Sequence, residues 1–272
     1  MHIVDVFAEA QLAGNQLAVI EDAASLSDAE MQAVALEMNY SETTFITARS
    51  DTEATVRIFT PGSELPFAGH PTLGTAWVLT QGRGRIVLNL AAGPVPVEFE
   101  ADLGWMVPPP VSFHGELDAQ RAAQLIGLDV SDLSAELPVE MLEVGPQFVI
   151  VPVRDLAALK KATFNVNLRD ELIAQGLPAR SVFVVSAEPY EPQADFASRM
   201  FFIASGPRED PATGSANSAF AAYLKKHKGN VGRVVVDQGV EINRPSRLYL
   251  DVADTLAVGG KVQPVVVGEM TL

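Results

Sequence analysis

Apolar and polar residues alternate through His2-Ile3-Val4-Asp5-Val6-Phe7, the two-residue period of a strand with one buried face. A second apolar run, Leu17 to Ile20, follows the turn at Gly14-Asn15, so the two segments predict a hairpin. The period then changes. Met31, Val34, Ala35 and Met38 recur at i, i+3, i+4 and i+7 behind Ser27 and Asp28, which predicts a capped helix with a core-facing stripe. Strands are predicted near 43–48, 54–60, 85–90 and 95–100, punctuated by Pro61-Gly62 and Gly93-Pro94, with a helix over 71–80. Pro108-Pro109-Pro110 halts regular structure, because proline cannot join a helix interior or a central ladder. Beyond it the pattern predicts helices near 118–127, 154–161 and 214–227. Strands are predicted near 139–144, 147–153, 181–186, 199–204, 233–237, 240–242, 247–252 and 262–270. Strands outnumber helices and most neighbours are hairpin-like, which favours an α+β fold with mixed or antiparallel sheets.

An internal repeat gives this order a shape. Glu64-Leu65-Pro66-Phe67-Ala68-Gly69-His70 matches Glu209-Asp210-Pro211-Ala212-Thr213-Gly214-Ser215 as Glu-x-Pro-x-x-Gly, and a small-residue helix follows in each case. Gly14-Asn15-Gln16 and Gly145-Pro146-Gln147 form a second matching pair. Two helix starts related by a pseudo-twofold would aim free N–H groups and the positive ends of their dipoles at one anionic ligand. Repeated turns also arise from packing alone, so the repeat needs chemistry beside it.

Composition narrows that chemistry. The chain has 272 residues, enough for two units about the proline run, and 34 acidic against 19 basic side chains, a formal charge of −15. That charge disfavours nucleic acid and anionic membranes as partners, and an anionic substrate would need a local positive field. With no cysteine, thiolate metal sites, disulfides and cysteine acid/base pairs are excluded. His2, His70, His114 and His227 lack metal-ligand spacing, and neither a phosphate loop nor a Gly-x-Ser-x-Gly elbow is present. No metal or cofactor is therefore expected. The N-terminus lacks a basic, then apolar leader and no window suits a membrane span, so a cytoplasmic location is expected.

For proton transfer, four groups stand at suggestive places. Glu42 is a lone carboxylate between a helix end and an apolar strand start; His70 and Asp210 flank the two glycine-led helix starts; Ser215 is the counterpart of His70. Each alone also reads as a surface charge, a turn residue or a cap.

Together with Gly14-Asn15-Gln16-Leu17-Ala18-Val19, Ser41-Glu42-Thr43-Thr44-Phe45, Phe59-Thr60-Pro61, Ala68-Gly69-His70-Pro71-Thr72-Leu73-Gly74, Gln238-Gly239-Val240-Glu241-Ile242 and Arg244-Pro245-Ser246, these residues resemble the phenazine-biosynthesis isomerase (PhzF-like) family along nearly the whole chain. The resemblance implies a diaminopimelate-epimerase-like fold: two pseudo-symmetric halves, each a curved, barrel-like sheet around a central helix, with the active site in the cleft between them. It implies halves at 1–112 and 113–261, with 262–272 returning to the first, and a homodimer. It also implies a cofactor-independent isomerase acting on a small anionic metabolite, as in isomerisation of trans-2,3-dihydro-3-hydroxyanthranilate. Carried over by position, Glu42 matches the general acid/base, while His70 and Asp210 stand beside the reacting groups. Ser41, Gly69, Thr213, Gly214 and Ser215 fall at the substrate. Burial against Phe45 and Phe67 is expected to raise the Glu42 pKa. An epimerase or another proton-shift isomerase on a different acid, and a non-catalytic metabolite binder, are the alternatives.

Overall fold

In the computed structural model, which describes residues 1–204 and 206–271, the first hairpin forms as β1 (His2–Val6) and β2 (Asn15–Ile20), antiparallel from His2↔Val19 to Val6↔Asn15. Its connection needs a glycine: Gly14 has φ +70°, and a Cβ there would lie 2.4 Å from the Val6 carbonyl oxygen. Helix α1 (Asp28–Met38) starts on a capping box, Ser27 with Glu30, buries Met31, Val34 and Ala35, and stops at Asn39 in the left-handed region. Strand β3 (Glu42–Arg49) then returns parallel to β2 and pairs antiparallel with β4 (Glu53–Phe59). The short β5 (Glu64–Leu65) leads into helix α2 (Gly69–Thr80), and β6 (Gly84–Leu90), β7 (Gly93–Glu100) and β8 (Leu103–Met106) complete the series.

After the prolines come β9 (Ser112–Glu116), α3 (Ala119–Leu125), β10 (Glu140–Glu143), β11 (Gln147–Val153), α4 (Leu156–Lys161) and α5 (Val166–Ala174). Next are β12 (Ser181–Ser186), β13 (Phe196–Ile203), β14 (Pro207–Asp210) and α6 (Gly214–Lys228). The chain closes with β15 (Gly232–Gln238), β16 (Ser246–Val252), β17 (Leu256–Gly260) and β18 (Val262–Val267).

The pairings occur twice in one order. β1–β2 antiparallel, β2–β3 parallel, β3–β4 antiparallel, β4–β6 parallel and then two antiparallel steps to β8 are matched by β10–β11, β11–β12, β12–β13, β13–β15 and two steps to β17. Strands β8 and β17 join the two series, and β18 lies antiparallel to β1, giving one unclosed 18-stranded sheet. The repeated glutamates have a structural job. Arg57 grips Glu64 through two bonds of 2.8 and 2.7 Å and lies over the Phe59 ring, as Arg199 grips Glu209 at 3.0 and 2.7 Å over Phe201. Each forked pair pins β5 or β14 to its sheet and so fixes where the following helix starts.

Helices α2 and α6 are buried along most of their length and share one core, in which Phe67, Leu73 and Met106 meet Phe183, Phe220 and Leu250. Separate clusters lie under α1 and among α3, α4 and α5. Among the described residues, no helix is long and apolar enough to cross a membrane.

Departures from the sequence pattern have simple causes. Residues Val240–Ile242 form a 3₁₀ turn rather than a strand, because Gly239 and Asn243 bracket them in left-handed conformations. The helix α5 has no apolar stripe in the sequence because only Leu172 in it is buried.

Candidate active site

Strand alternation decides where Glu42 points. Thr44, two residues on, faces α2 and meets the Thr75 hydroxyl at 2.8 Å, so Glu42 at the head of β3 faces the start of the same helix. Its Oε2 lies 3.4 Å from Nδ1 of His70, the second residue of α2, with 16% of the side chain exposed. Phe45 stands on the other face of the strand, packed with Phe59, Met31 and Val34, so it does not cover the Glu42 carboxyl; Phe67 lies in the central core. The expectation that Phe45 desolvates Glu42 is corrected by that alternation.

Asp210 ends β14 and is the other carboxyl of the site. Ser41 Oγ and Asn15 Nδ2 each donate to its Oδ1 at 3.0 Å, and Thr213 Oγ1 donates to its Oδ2 at 2.6 Å. Burial pushes its pKa up to about 6 against those three donors. Glu42 rises further, to about 8, first through burial and then through the negative charge of Asp210. Asp210, with its three donors, is therefore the ionised partner, and Glu42 keeps the proton.

His70 agrees with that distribution. Burial pushes its pKa down to about 3, so the ring is neutral near pH 7. Its Nε2 lies 3.3 Å from the Gln16 carbonyl oxygen, which only accepts, so Nε2 carries the hydrogen. Nδ1 then presents a lone pair. Both Asn15 Nδ2 hydrogens are taken by Asp210 and by the Ala212 carbonyl at 2.9 Å, which leaves the 3.4 Å approach to Nδ1 without a donated hydrogen. The remaining neighbour of Nδ1 is Glu42 Oε2, and two lone pairs facing each other favour a protonated Glu42.

The two helix starts meet beside these groups. A Cβ on Gly69 would sit 2.7 Å from Gly214 Cα, and one on Gly214 would sit 2.9 Å from Gly69 Cα. Neither start is capped by its own N-cap side chain: Ala68 has none to offer, and the Thr213 hydroxyl serves Asp210. Both dipoles thus direct positive ends at one place. Direct contacts bring together Ser41, Glu42, His70, Asp210 and Thr213, with Gly69 against Gly214; Ser215 is buried at the second position of α6.

Two residues of the site carried no assigned role in the sequence reading. Asn15 links β2 of the first strand series to Asp210 and Ala212 beside the second, and Gln238, at the end of β15, is fully buried against Asp210, Thr213 and Asn217. Both lie in motifs visible in the sequence, but their partners come from remote segments. Among the described residues, no group of three or more His, Cys, Asp or Glu is arranged to hold a metal. Two carboxyls in opposite states beside a neutral imidazole and two helix N-termini can bind an anion and exchange a proton with it.

The profile of the family described as phenazine biosynthesis-like protein (PhzC-PhzF) matches residues 4–268. The chain is 37% identical over 260 residues to trans-2,3-dihydro-3-hydroxyanthranilate isomerase of Pseudomonas aeruginosa, covering 91% of this chain and 88% of that one. Among solved structures, a PhzF-family phenazine biosynthesis protein of Bacillus anthracis superposes with a TM-score of 0.89 at 25% identity, covering 100% of this chain and 98% of that one. A predicted epimerase of Pseudomonas aeruginosa superposes with a TM-score of 0.85 at 32% identity and the same coverage.

Proposed function

The chain belongs to the phenazine biosynthesis-like family, and from that premise we propose that this isomerase moves a proton between two carbons of a small conjugated carboxylic acid, without a cofactor, through Glu42. The observation that carries the reading is the buried pair itself: Glu42 beside the bare Nδ1 of His70, and Asp210 held by Asn15, Ser41 and Thr213. A carboxyl whose pKa is lifted to about 8 changes state close to neutral pH, so it can take a proton and give it back. In its ionised form Glu42 removes a proton from an activated carbon, and the protonated form delivers it to another carbon of the same system, leaving composition unchanged. The substrate carboxylate lies at the paired helix starts, where the amides near Gly69 and Gly214 also stabilise charge that builds up during transfer. His70 stays neutral and borders the proton path, while Asp210 remains anionic.

The relative named for trans-2,3-dihydro-3-hydroxyanthranilate makes that compound the first substrate to try. The similar solved structure described as a predicted epimerase favours a second reading, inversion at one carbon of a different small acid. Both are tested by incubating the purified protein with trans-2,3-dihydro-3-hydroxyanthranilate and with a panel of chiral small acids. A change in absorbance at constant mass is expected for the first compound. Inversion of a panel member without that change selects the epimerase, and ligand binding with neither reaction leaves a non-catalytic binder.

A further inference from the structure

The late motif containing Gln238 is not used by the mechanism above, yet its carboxamide is locked behind the site in one orientation. Gln238 Oε1 accepts from the Thr213 backbone N–H at 3.2 Å and from Asn217 Nδ2 at 3.2 Å. Its Nε2 donates to the Asp210 carbonyl at 2.9 Å and to Thr213 Oγ1 at 3.0 Å. A backbone N–H can only donate and a backbone carbonyl can only accept, so the amide cannot be reversed without losing both. The Thr213 hydroxyl therefore receives a hydrogen from Gln238. Its own single hydrogen is left to point along the 2.6 Å contact to Asp210 Oδ2.

We propose that Gln238 is a positioning residue that decides which carboxyl of the site holds the proton: by donating to Thr213 it aims the Thr213 hydroxyl hydrogen at Asp210, keeping Asp210 ionised and leaving the proton on Glu42. The proposal rests on the reading of Glu42 as the acid/base. Without Gln238, the Thr213 hydroxyl is free to turn away, as toward the vacated Asp210 carbonyl. Asp210 then loses one of three donors, protonates more readily, and no longer holds Glu42 in its neutral form.

The charged and titratable surroundings are otherwise engaged. His70 faces Glu42 from α2, and Glu209 beside Asp210 is gripped by Arg199 of β13. Arg208 stands on the same side of β14 as Asp210. Asp237, next to Gln238, is paired with Arg247 of β16. Behind Asn15, Asp5 is paired with Arg244. Gln238 itself carries no charge, so its replacement alters the site only through the hydrogen bonds it removes.

The test is a carboxyl titration of the full chain, which needs no substrate. The protein is labelled with ¹³C at the Glu and Asp carboxyls, and Glu42 and Asp210 are identified by the signals lost in Glu42→Gln and Asp210→Asn. Wild type is compared with Gln238→Met, Thr213→Val and the double variant. We expect the Asp210 midpoint to rise by about one pH unit in each single variant, the scale of one lost charge-assisted hydrogen bond, and the Glu42 midpoint to fall as Asp210 loses charge. The double variant should move no further, because both substitutions remove the same hydrogen bond from Thr213 to Asp210. An unmoved Glu42 midpoint in a folded Gln238→Met protein, with only its melting temperature lowered, would overturn the proposal. Should that variant not fold, Thr213→Val decides: a fall supports the proposal and an unmoved midpoint overturns it. Absence of turnover in wild type would sink the functional reading while leaving this titration result standing.

Discussion

Replacing Glu42 by Gln should make the folded protein more stable at alkaline pH while removing its chemistry. In the fold, burial and the charge of Asp210 push this carboxyl from an ordinary 4.5 to about 8. A pKa raised on folding means that the folded chain holds a proton which the unfolded chain releases. This group's contribution is therefore most favourable at low pH and is lost as pH climbs from the unfolded value through the folded one. At about 1.4 kcal/mol per pH unit, the group costs about 1 kcal/mol at pH 5 and about 5 kcal/mol at pH 9, a loss of about 4 kcal/mol across that range. Gln matches the protonated carboxyl in shape, offers an N–H toward His70 Nδ1, and does not ionise. Urea unfolding of both proteins at pH 5, 7 and 9, at one ionic strength, cancels the titrations they share. The stability advantage of the variant should grow steadily with pH. A difference that stays flat would refute the placement of the proton on Glu42, and one that shrinks would show the carboxyl ionised in the fold.

Other consequences follow from the same geometry. The kcat/KM of wild type should rise with pH through about 8 as Glu42 becomes the base; a fall over that range contradicts a base-first transfer. Asn15→Ala removes donors to Asp210 and Ala212, and should lower stability by about 1.5–3 kcal/mol by chemical denaturation, with turnover falling too. Gly214→Ala drives a methyl to within 2.9 Å of Gly69 Cα, so overpacking of about 1–3 kcal/mol should accompany loss of activity, read by thermal melting and assay. Arg244 holds Asp5 at 2.7 Å and the carbonyls of Leu12, Ala13 and Gly14, just ahead of Asn15. Arg244→Met strands the buried Asp5 carboxylate and should cost about 3–5 kcal/mol in denaturant.

What could be read in the chain beforehand was whatever depends on near neighbours. The Ser27 cap, the Met31-Val34-Ala35 stripe and the proline stop are local signals, and each element formed where its pattern lay. Strand β9 escaped because all five of its residues are exposed and so carry no alternation. Val240 and Ile242 misled in the opposite sense, since β-branched side chains favour a strand while the flanking left-handed residues force a turn. The repeated Glu-x-Pro-x-x-Gly marked the two helix starts correctly, although its glutamates grip arginines rather than face the site. Glu42 and Asp210 each read as an ordinary polar residue at a turn, because what perturbs them is first of all burial, with the charge of Asp210 added at Glu42, and that burial comes from the pairing of two remote strand series. Asn15 looked like a turn former for the same reason: its acceptor is 195 positions away.

The claim at the centre is that Glu42 carries the proton of an isomerisation. It is met most directly by running trans-2,3-dihydro-3-hydroxyanthranilate with wild type and Glu42→Gln in D2O and locating deuterium in the recovered material. Wild type should yield product, with deuterium confined to the carbon that receives the proton and present to the extent that Glu42 exchanges with solvent between the two steps, and the folded Gln variant neither product nor label. Labelled product from the Gln variant at a rate near wild type would contradict the account.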